Sequence, residues 1–228
     1  MIKKLLLTLK PIESFLPVKL IIKKSLTIIS FIVFLVLTNN YYSYAENIKD
    51  YGIISVMYHR FDENKYPSTN IKIPDFKSQI DLIKKSNIQF ISHKEFLESI
   101  NKNNLNKKIL LTIDDGFSSF YNKAWPILKK EKIPFIIFVN TETVGSKGYM
   151  GWNEIKEIAN FDFVHIGNHS HSHEYLVDWS DDEIEKDLKT SIKLFKEKLN
   201  YETKFFAYPF GEYKKSYKEI VKKLGFEY

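Results

Sequence analysis

The feature that most constrains this chain is an alternation of short, nearly continuous apolar runs with segments of helical hydrophobic period. The runs Ile53–Met57, Ile88–Ile91, Ile109–Ile113, Pro134–Val139, Phe163–Ile166 and Phe205–Tyr208 are rich in β-branched and aromatic residues and read as strands. Pro134 favours a strand start at that point, because proline has no N–H to give a ladder. Between the runs, Phe76, Ile80 and Ile83 share one helical face, as do Ile184, Leu188, Ile192, Phe195 and Leu199. Ser92 with Glu95 and Ser180 with Glu183 form capping boxes at two helix starts. A further helix from Ser216 to Leu224 stops at Gly225, a good C-cap residue. Strands apolar on both faces need covering on both faces. The expected fold is therefore α/β, a parallel sheet wrapped by helices and most simply a barrel.

The 228 residues suit one domain plus an export segment, and 44% apolar residues argue against disorder. There is no cysteine, so disulfide frameworks and thiolate metal sites are excluded, and a metal would have to rest on His, Asp or Glu. The net charge of +6 suggests nucleic acid until it is located. Residues 1–45 hold six lysines against Glu13 alone, leaving 28 basic and 27 acidic residues elsewhere. The basicity belongs to a leader, and no nucleic-acid partner is expected.

That leader reads as a signal peptide. A lysine-bearing region ends at Lys24, the apolar run Leu26–Leu37 follows, and Ser43-Tyr44-Ala45 offers a small-x-small cleavage site before Glu46. The run is shorter than the ~20 residues of a spanning helix. Leu20–Ile22 extends it around two lysines, so the alternative is an uncleaved anchor, the one expected contact with a membrane. Either way residues 46–228 are expected outside the cytoplasm, in a periplasm, a cell envelope or the extracellular space.

Three segments that follow strands carry the chemistry, and in parallel α/β folds the carboxyl ends of strands are where sites are built. In Thr112-Ile113-Asp114-Asp115-Gly116 two adjacent carboxylates can point apart and take different roles. In His169-Ser170-His171-Ser172-His173, three of six histidines fall within five positions, and the spacing of His169 and His173 suits one face of a helical turn. If those two converge, His171 points away. In Ala207-Tyr208-Pro209-Phe210-Gly211 a strand ends in a tight turn that can present backbone amides. One Asp and two His leave a fourth position open, as in catalytic zinc sites. The same triad also suits iron-dependent dioxygen chemistry, so ligand count alone leaves the reaction class open.

These segments resemble the three motifs of the NodB-homology polysaccharide deacetylases, carbohydrate esterase family four. T-F-D-D-G corresponds to Thr112–Gly116, H-[ST]-x-x-H to His169–His173, and R-x-P-Y-G to Ala207–Gly211. The likeness continues through Met57-Tyr58-His59-Arg60, Trp125-Pro126-Ile127-Leu128 and Gly151-Trp152-Asn153-Glu154, and covers about residues 52–228. The resemblance implies an irregular (β/α) barrel of about seven strands that removes N-acetyl groups from a glycan. It implies Asp115, His169 and His173 as ligands to a divalent metal, usually zinc, and Asp114 as general base. It places the oxyanion against the backbone N–H of Phe210, with Tyr208 and Pro209 in the same substrate-facing segment.

Two departures qualify this. The family's arginine is Ala207 here, although F-A-Y-P-[FY]-G and Tyr58-His59 resemble the deacetylases of poly-N-acetylglucosamine, which favours that substrate. The family's late Leu-x-His motif, whose His protonates the leaving amine, is expected beyond Tyr228, and Gly225–Tyr228 reads as the start of a further strand, so the domain is expected to be C-terminally incomplete. The competing function is a carbohydrate-binding or scaffolding protein that kept the barrel and lost turnover. An amidohydrolase of small amides is disfavoured by the export signal. Among other residues, His59 is a candidate for the cleft, His93 is expected to be exposed, His165 to be a core residue, and Trp125 and Trp152 to belong to the core or barrel rim.

Overall fold

The computed structural model describes residues 52–86, 88–102 and 107–228, and turns most of the apolar runs into strands and the periodic segments into helices. The expected leader, residues 1–45, lies outside the described residues. In chain order the elements are β1 (Ile53–Tyr58), β2 (Arg60–Phe61), β3 (Asn70–Ile71), α1 (Ile73–Lys85), β4 (Gln89–Phe90), α2 (His93–Asn101), β5 (Lys108–Ile113), α3 (Trp125–Glu131), β6 (Phe135–Val139), α4 (Trp152–Ala159), β7 (Val164–Asn168), α5 (Asp181–Leu199) and α6 (Lys215–Lys223). A single π turn, Phe120–Ala124, leads into α3. Both capping boxes form as the sequence requires, with Ser92 and Ser180 accepting from Glu95 and Glu183 N–H.

The main sheet runs β1-β5-β6-β7, with β4 beside the start of β5, and every pairing is parallel. β2 and β3 form a separate parallel pair. The expected seven strands thus divide into five and two. The run Phe205–Tyr208 falls short of a strand. Phe206 makes one isolated bridge to Asn168, while the Phe205 N–H is taken by the Thr203 hydroxyl at 3.1 Å instead of a neighbouring strand. Phe206 N–H donates to Tyr228 O at 2.7 Å, and Tyr228 N–H to Lys204 O at 3.0 Å, so these two stretches pair locally.

Alternate residues of the strands face two cores. Outward, Leu111, Ile113, Phe135, Ile137, Val139 and Ile166 are buried with Phe76 and Ile80 of α1, Trp125 and Leu128 of α3, and Ile155 and Ile158 of α4. Each such burial is worth about 1.5–3 kcal/mol against exposure. Trp125 is in the core and Trp152 packs at its margin, as expected. Inward, Leu110, Ile136, Phe138 and Phe205 form a sparser cluster. Beside it lies a cavity of about 550 Å³, reached by Met57, Thr112, Ala207 and, at its end, Asp114. Gly167 in β7 makes room for its neighbour: a Cβ there would lie 2.3 Å from the Phe138 ring. Ile184 and Leu188 of α5 join Tyr217, Ile220 and Val221 of α6 in a third cluster.

Candidate metal centre

The carboxyl ends of β1, β5, β6 and β7 converge, and each delivers a polar residue: His59, Asp114 with Asp115, Asn140, and His169. The Asp114 N–H donates to Tyr58 O at 2.9 Å, holding the end of β5 to β1. Asp115 and Gly116 then both take left-handed backbone, φ 70° and 73°. This turn is what parts the two carboxylates. Asp114 faces the inner cavity, whereas Asp115 faces the histidines.

Asp115 Oδ1 lies 3.0 Å from His173 Nε2 and 3.6 Å from His169 Nε2. The ligand atoms of the three residues all fall within 4.8 Å of one another. Three observations fit this set to a divalent metal. His169 is buried, and its Nδ1 donates to Ala207 O at 2.8 Å, which leaves Nε2 as a lone pair turned toward Asp115. Asn140 Nδ2 reaches the same Asp115 oxygen at 3.4 Å, orienting it. The donors are nitrogen and oxygen in a chain without cysteine.

The two histidines do not share a helical face. Ser170 and His173 are left-handed, φ 68° and 56°, so the segment between them is a folded loop, and chain reversal brings the imidazoles to 4.8 Å. Non-glycine residues in this region cost about 1–2 kcal/mol each. Four of the seven found among the described residues, Asp115, Ser170, His173 and Phe210, are in these three segments. Strain is concentrated where the site is built. His171 points away, its Nδ1 2.8 Å from the Thr141 hydroxyl.

Burial and charge separate the titrating groups. Burial, then repulsion from Asp115, raises the Asp114 carboxyl to about 7, with His173 as the opposing cation. For Asp115 burial acts upward, but the hydrogen bond and charge of His173, with His169 and His59, bring the net below the usual carboxylate range. For His173 burial acts downward and Asp115 outweighs it, so its pKa rises. These two opposite shifts describe one ion pair. Burial lowers His169 to about 4, and also lowers His59, which feels Asp115 and His173.

The third motif divides its residues. Phe210 is left-handed, φ 59°, and its half-exposed ring lies 4.8 Å from His173 and parallel to Tyr175 at 4.0 Å. Pro209 is buried, and Tyr208 packs edge-on against Phe206 and Tyr217, so its ring belongs to the third cluster. After His59, Arg60 lies over the Phe117 ring at 3.4 Å and pairs with Glu63 at 2.9 Å. Asn140 escaped the sequence reading, though the rule that strand ends build sites pointed to it at the end of β6.

Residues 101–228 match the family model described as Polysaccharide deacetylase. The chain is 30% identical over 167 residues to a poly-beta-1,6-N-acetyl-D-glucosamine N-deacetylase of Staphylococcus aureus, covering 67% of this chain and 58% of that protein. It spans about 58–61% of the length of the curated relatives it matches first. Among solved structures, IcaB from Ammonifex degensii superposes with a TM-score of 0.72 at 28% identity, covering 78% of this chain and 82% of that one. The Streptococcus pyogenes deacetylase PplD, in complex with acetate, superposes with a TM-score of 0.69 at 27% identity, covering 76% and 80%. With its three motifs folded into one centre on a distorted parallel barrel, the chain belongs to the NodB-homology polysaccharide deacetylases, carbohydrate esterase family four.

Proposed function

We propose that this protein hydrolyses N-acetyl groups of an exported glycan, with poly-β-1,6-N-acetylglucosamine as the favoured substrate and zinc as the metal. The observation that carries the reading is the parting of Asp114 from Asp115: one carboxylate joins two imidazoles, and its neighbour stays free beside them. A divalent metal on Asp115, His169 and His173 supplies Lewis acidity toward an acetyl carbonyl and acidifies water. Asp114 accepts the proton of the attacking water, and its pKa of about 7 suits a base at neutral pH. The Phe210 N–H is the donor assigned to the oxyanion, and the exposed rings of Phe210 and Tyr175 offer an apolar wall to a sugar. His59, at the end of β1 and within reach of the charges of Asp115 and His173, is the candidate acid for the leaving amine, although burial lowers its pKa.

The substrate preference is supported by the Staphylococcus aureus relative and by Ala207-Tyr208-Pro209-Phe210. The leader sequence supports export, and a membrane contact is confined to that segment if it is kept. The deciding experiment measures acetate release by the zinc-loaded protein from β-1,6- and β-1,4-linked N-acetylglucosamine oligomers and from peptidoglycan fragments. Release fastest from the β-1,6 series is the expected result. Preference for another series moves the substrate, and metal binding with no release from any of them favours a binding protein.

A further inference from the structure

Beneath the histidine loop lies a carboxylate that the proposed chemistry does not use. Asp187, on α5, is buried, and its partners are two backbone amides rather than a cation. Its Oδ1 accepts from His171 N–H at 2.8 Å and its Oδ2 from Ser172 N–H at 3.0 Å. One turn further along the helix, Ser191 is buried and accepts from Asn168 Nδ2 at 3.0 Å. Asn168 Oδ1 in turn accepts from Ser170 N–H at 2.9 Å, and Ser170 Oγ from His173 N–H at 3.0 Å. Positions four apart share a helix face. Asp187 therefore binds two successive amides of the loop between His169 and His173 directly, and Ser191 on the same helix face supports a third, that of Ser170, through Asn168.

That loop needs holding. Two of its residues, Ser170 and His173, are in left-handed backbone, a conformation that persists only where the surroundings over-determine it. Without the Asp187 bonds, the amides of His171 and Ser172 lose their partners, and the loop is free to relax toward ordinary backbone. His173 would then leave Asp115. We propose that Asp187 is a positioning residue of the metal centre, with Ser191 as its partner: its carboxylate pre-organises His173, and so sets metal affinity without touching the metal. The proposal rests on reading Asp115, His169 and His173 as ligands, and not on any choice of substrate.

The test uses the full chain. Zinc and cobalt affinities are measured by competition with a chromogenic chelator for wild type, Asp187→Asn and Ser191→Ala. Backbone hydrogen exchange of residues 167–174 is followed in the metal-free proteins. In Asp187→Asn the amide oxygen keeps one N–H while its NH2 opposes the other. We expect affinity weakened about 10–100-fold, the range seen when a group orienting a metal ligand is removed. We also expect faster exchange confined to the loop, an altered cobalt spectrum, and recovery of activity at excess zinc. Ser191→Ala should weaken affinity about 3–10-fold, a smaller effect because it acts through Asn168. A general loss of stability with unchanged affinity and spectrum in the folded variants overturns the proposal. If Asp187→Asn does not fold, Ser191→Ala decides alone. Absence of metal binding by the wild type would overturn the ligand reading itself, a separate failure.

Discussion

Strand β7 carries histidines at two levels, and they have different fates. Near its start, His165 stacks on His93 of α2 at 4.1 Å and 28°. Just past its end, His169 meets His173 edge-to-face at 4.8 Å and 66°. The first pair is answered by neutral groups: Tyr201 OH is 2.9 Å from His165 Nδ1 and Thr203 Oγ1 is 3.0 Å from its Nε2. The second is answered by the carboxylate of Asp115. Burial lowers His165 to about 3 and lowers His93 too, whereas Asp115 raises His173. Proximity of two imidazoles is therefore not what makes a metal centre. A carboxylate between them, and lone pairs left unspent, make the difference.

The sharpest test of that distinction is Asp114, the carboxylate next to the second pair. Asp114→Asn should leave metal bound while acetate release falls roughly 10²–10⁴-fold, the usual contribution of a positioned base. Metal loss equal to that of the histidine variants would show the roles of Asp114 and Asp115 to be exchanged. The same substitution should stabilise the metal-free protein. A carboxyl raised from 3.8 to about 7 is neutral in the folded chain and ionised in the unfolded one between those values, so stability falls as pH rises through that window. Removing the charge should return about 2–4 kcal/mol at pH 8, read from denaturant unfolding in chelator. A destabilised variant would contradict the burial argument.

The next effect compares the pairs directly. His169→Ala or His173→Ala should cost at least roughly 10²-fold in metal affinity, since binding of ~10–16 kcal/mol in four-ligand structural zinc sites is about 3 kcal/mol for each ligand. His165→Gln should cost none. Retention of stoichiometric metal after dialysis in both alanine variants would place the site elsewhere.

How much of this was legible is clearest at the two pairs. Asp115, His169 and His173 come together as the motif order and the family resemblance lead one to expect, with Asp114 beside them. The geometry joining the histidines was not legible: spacing suggested a helical face, while Asn168 and Asp187 impose a loop whose left-handed residues no periodicity reveals. The first pair was half read. His165 is the core residue its apolar strand suggested, with both ring nitrogens partnered. His93 was expected in solvent and is half-buried against it, because a capping box says where a helix starts and not which tertiary neighbour its first residue meets. Strands were legible wherever both faces are covered. Phe205–Tyr208 shortened to a bridge because Thr203 takes the Phe205 amide and Pro209 ends the run.

The smaller effects belong to the first pair. His165 is neutral when folded and titrates near 6.5 when unfolded, so its contribution is complete above 6.5 and lost as pH falls toward 3. Relative to His165→Gln, the wild type should lose about 2–3 kcal/mol between pH 6.5 and 4. Parallel stability curves would show that this pair is already protonated or already open. Smallest of all, His93→Phe keeps the stack and removes a buried Nδ1 that has no hydrogen-bond partner. It should be neutral or up to about 1 kcal/mol stabilising at pH 7. A loss of more than that would mean the nitrogen has a bound water.

Gly167 sets a limit on how this protein can vary. Its missing side chain is the volume the Phe138 ring fills, and that ring stands 6.5 Å from the His169 ring. Position 167 is thus closed to every other amino acid unless position 138 shrinks in the same step. A lone Gly167→Ala must shift the aromatic ring that stands beside the His169 imidazole. Two neighbouring strands are bound by this arrangement to change together. A drifting lineage would have to pass through a paired substitution at 138 and 167 to escape it.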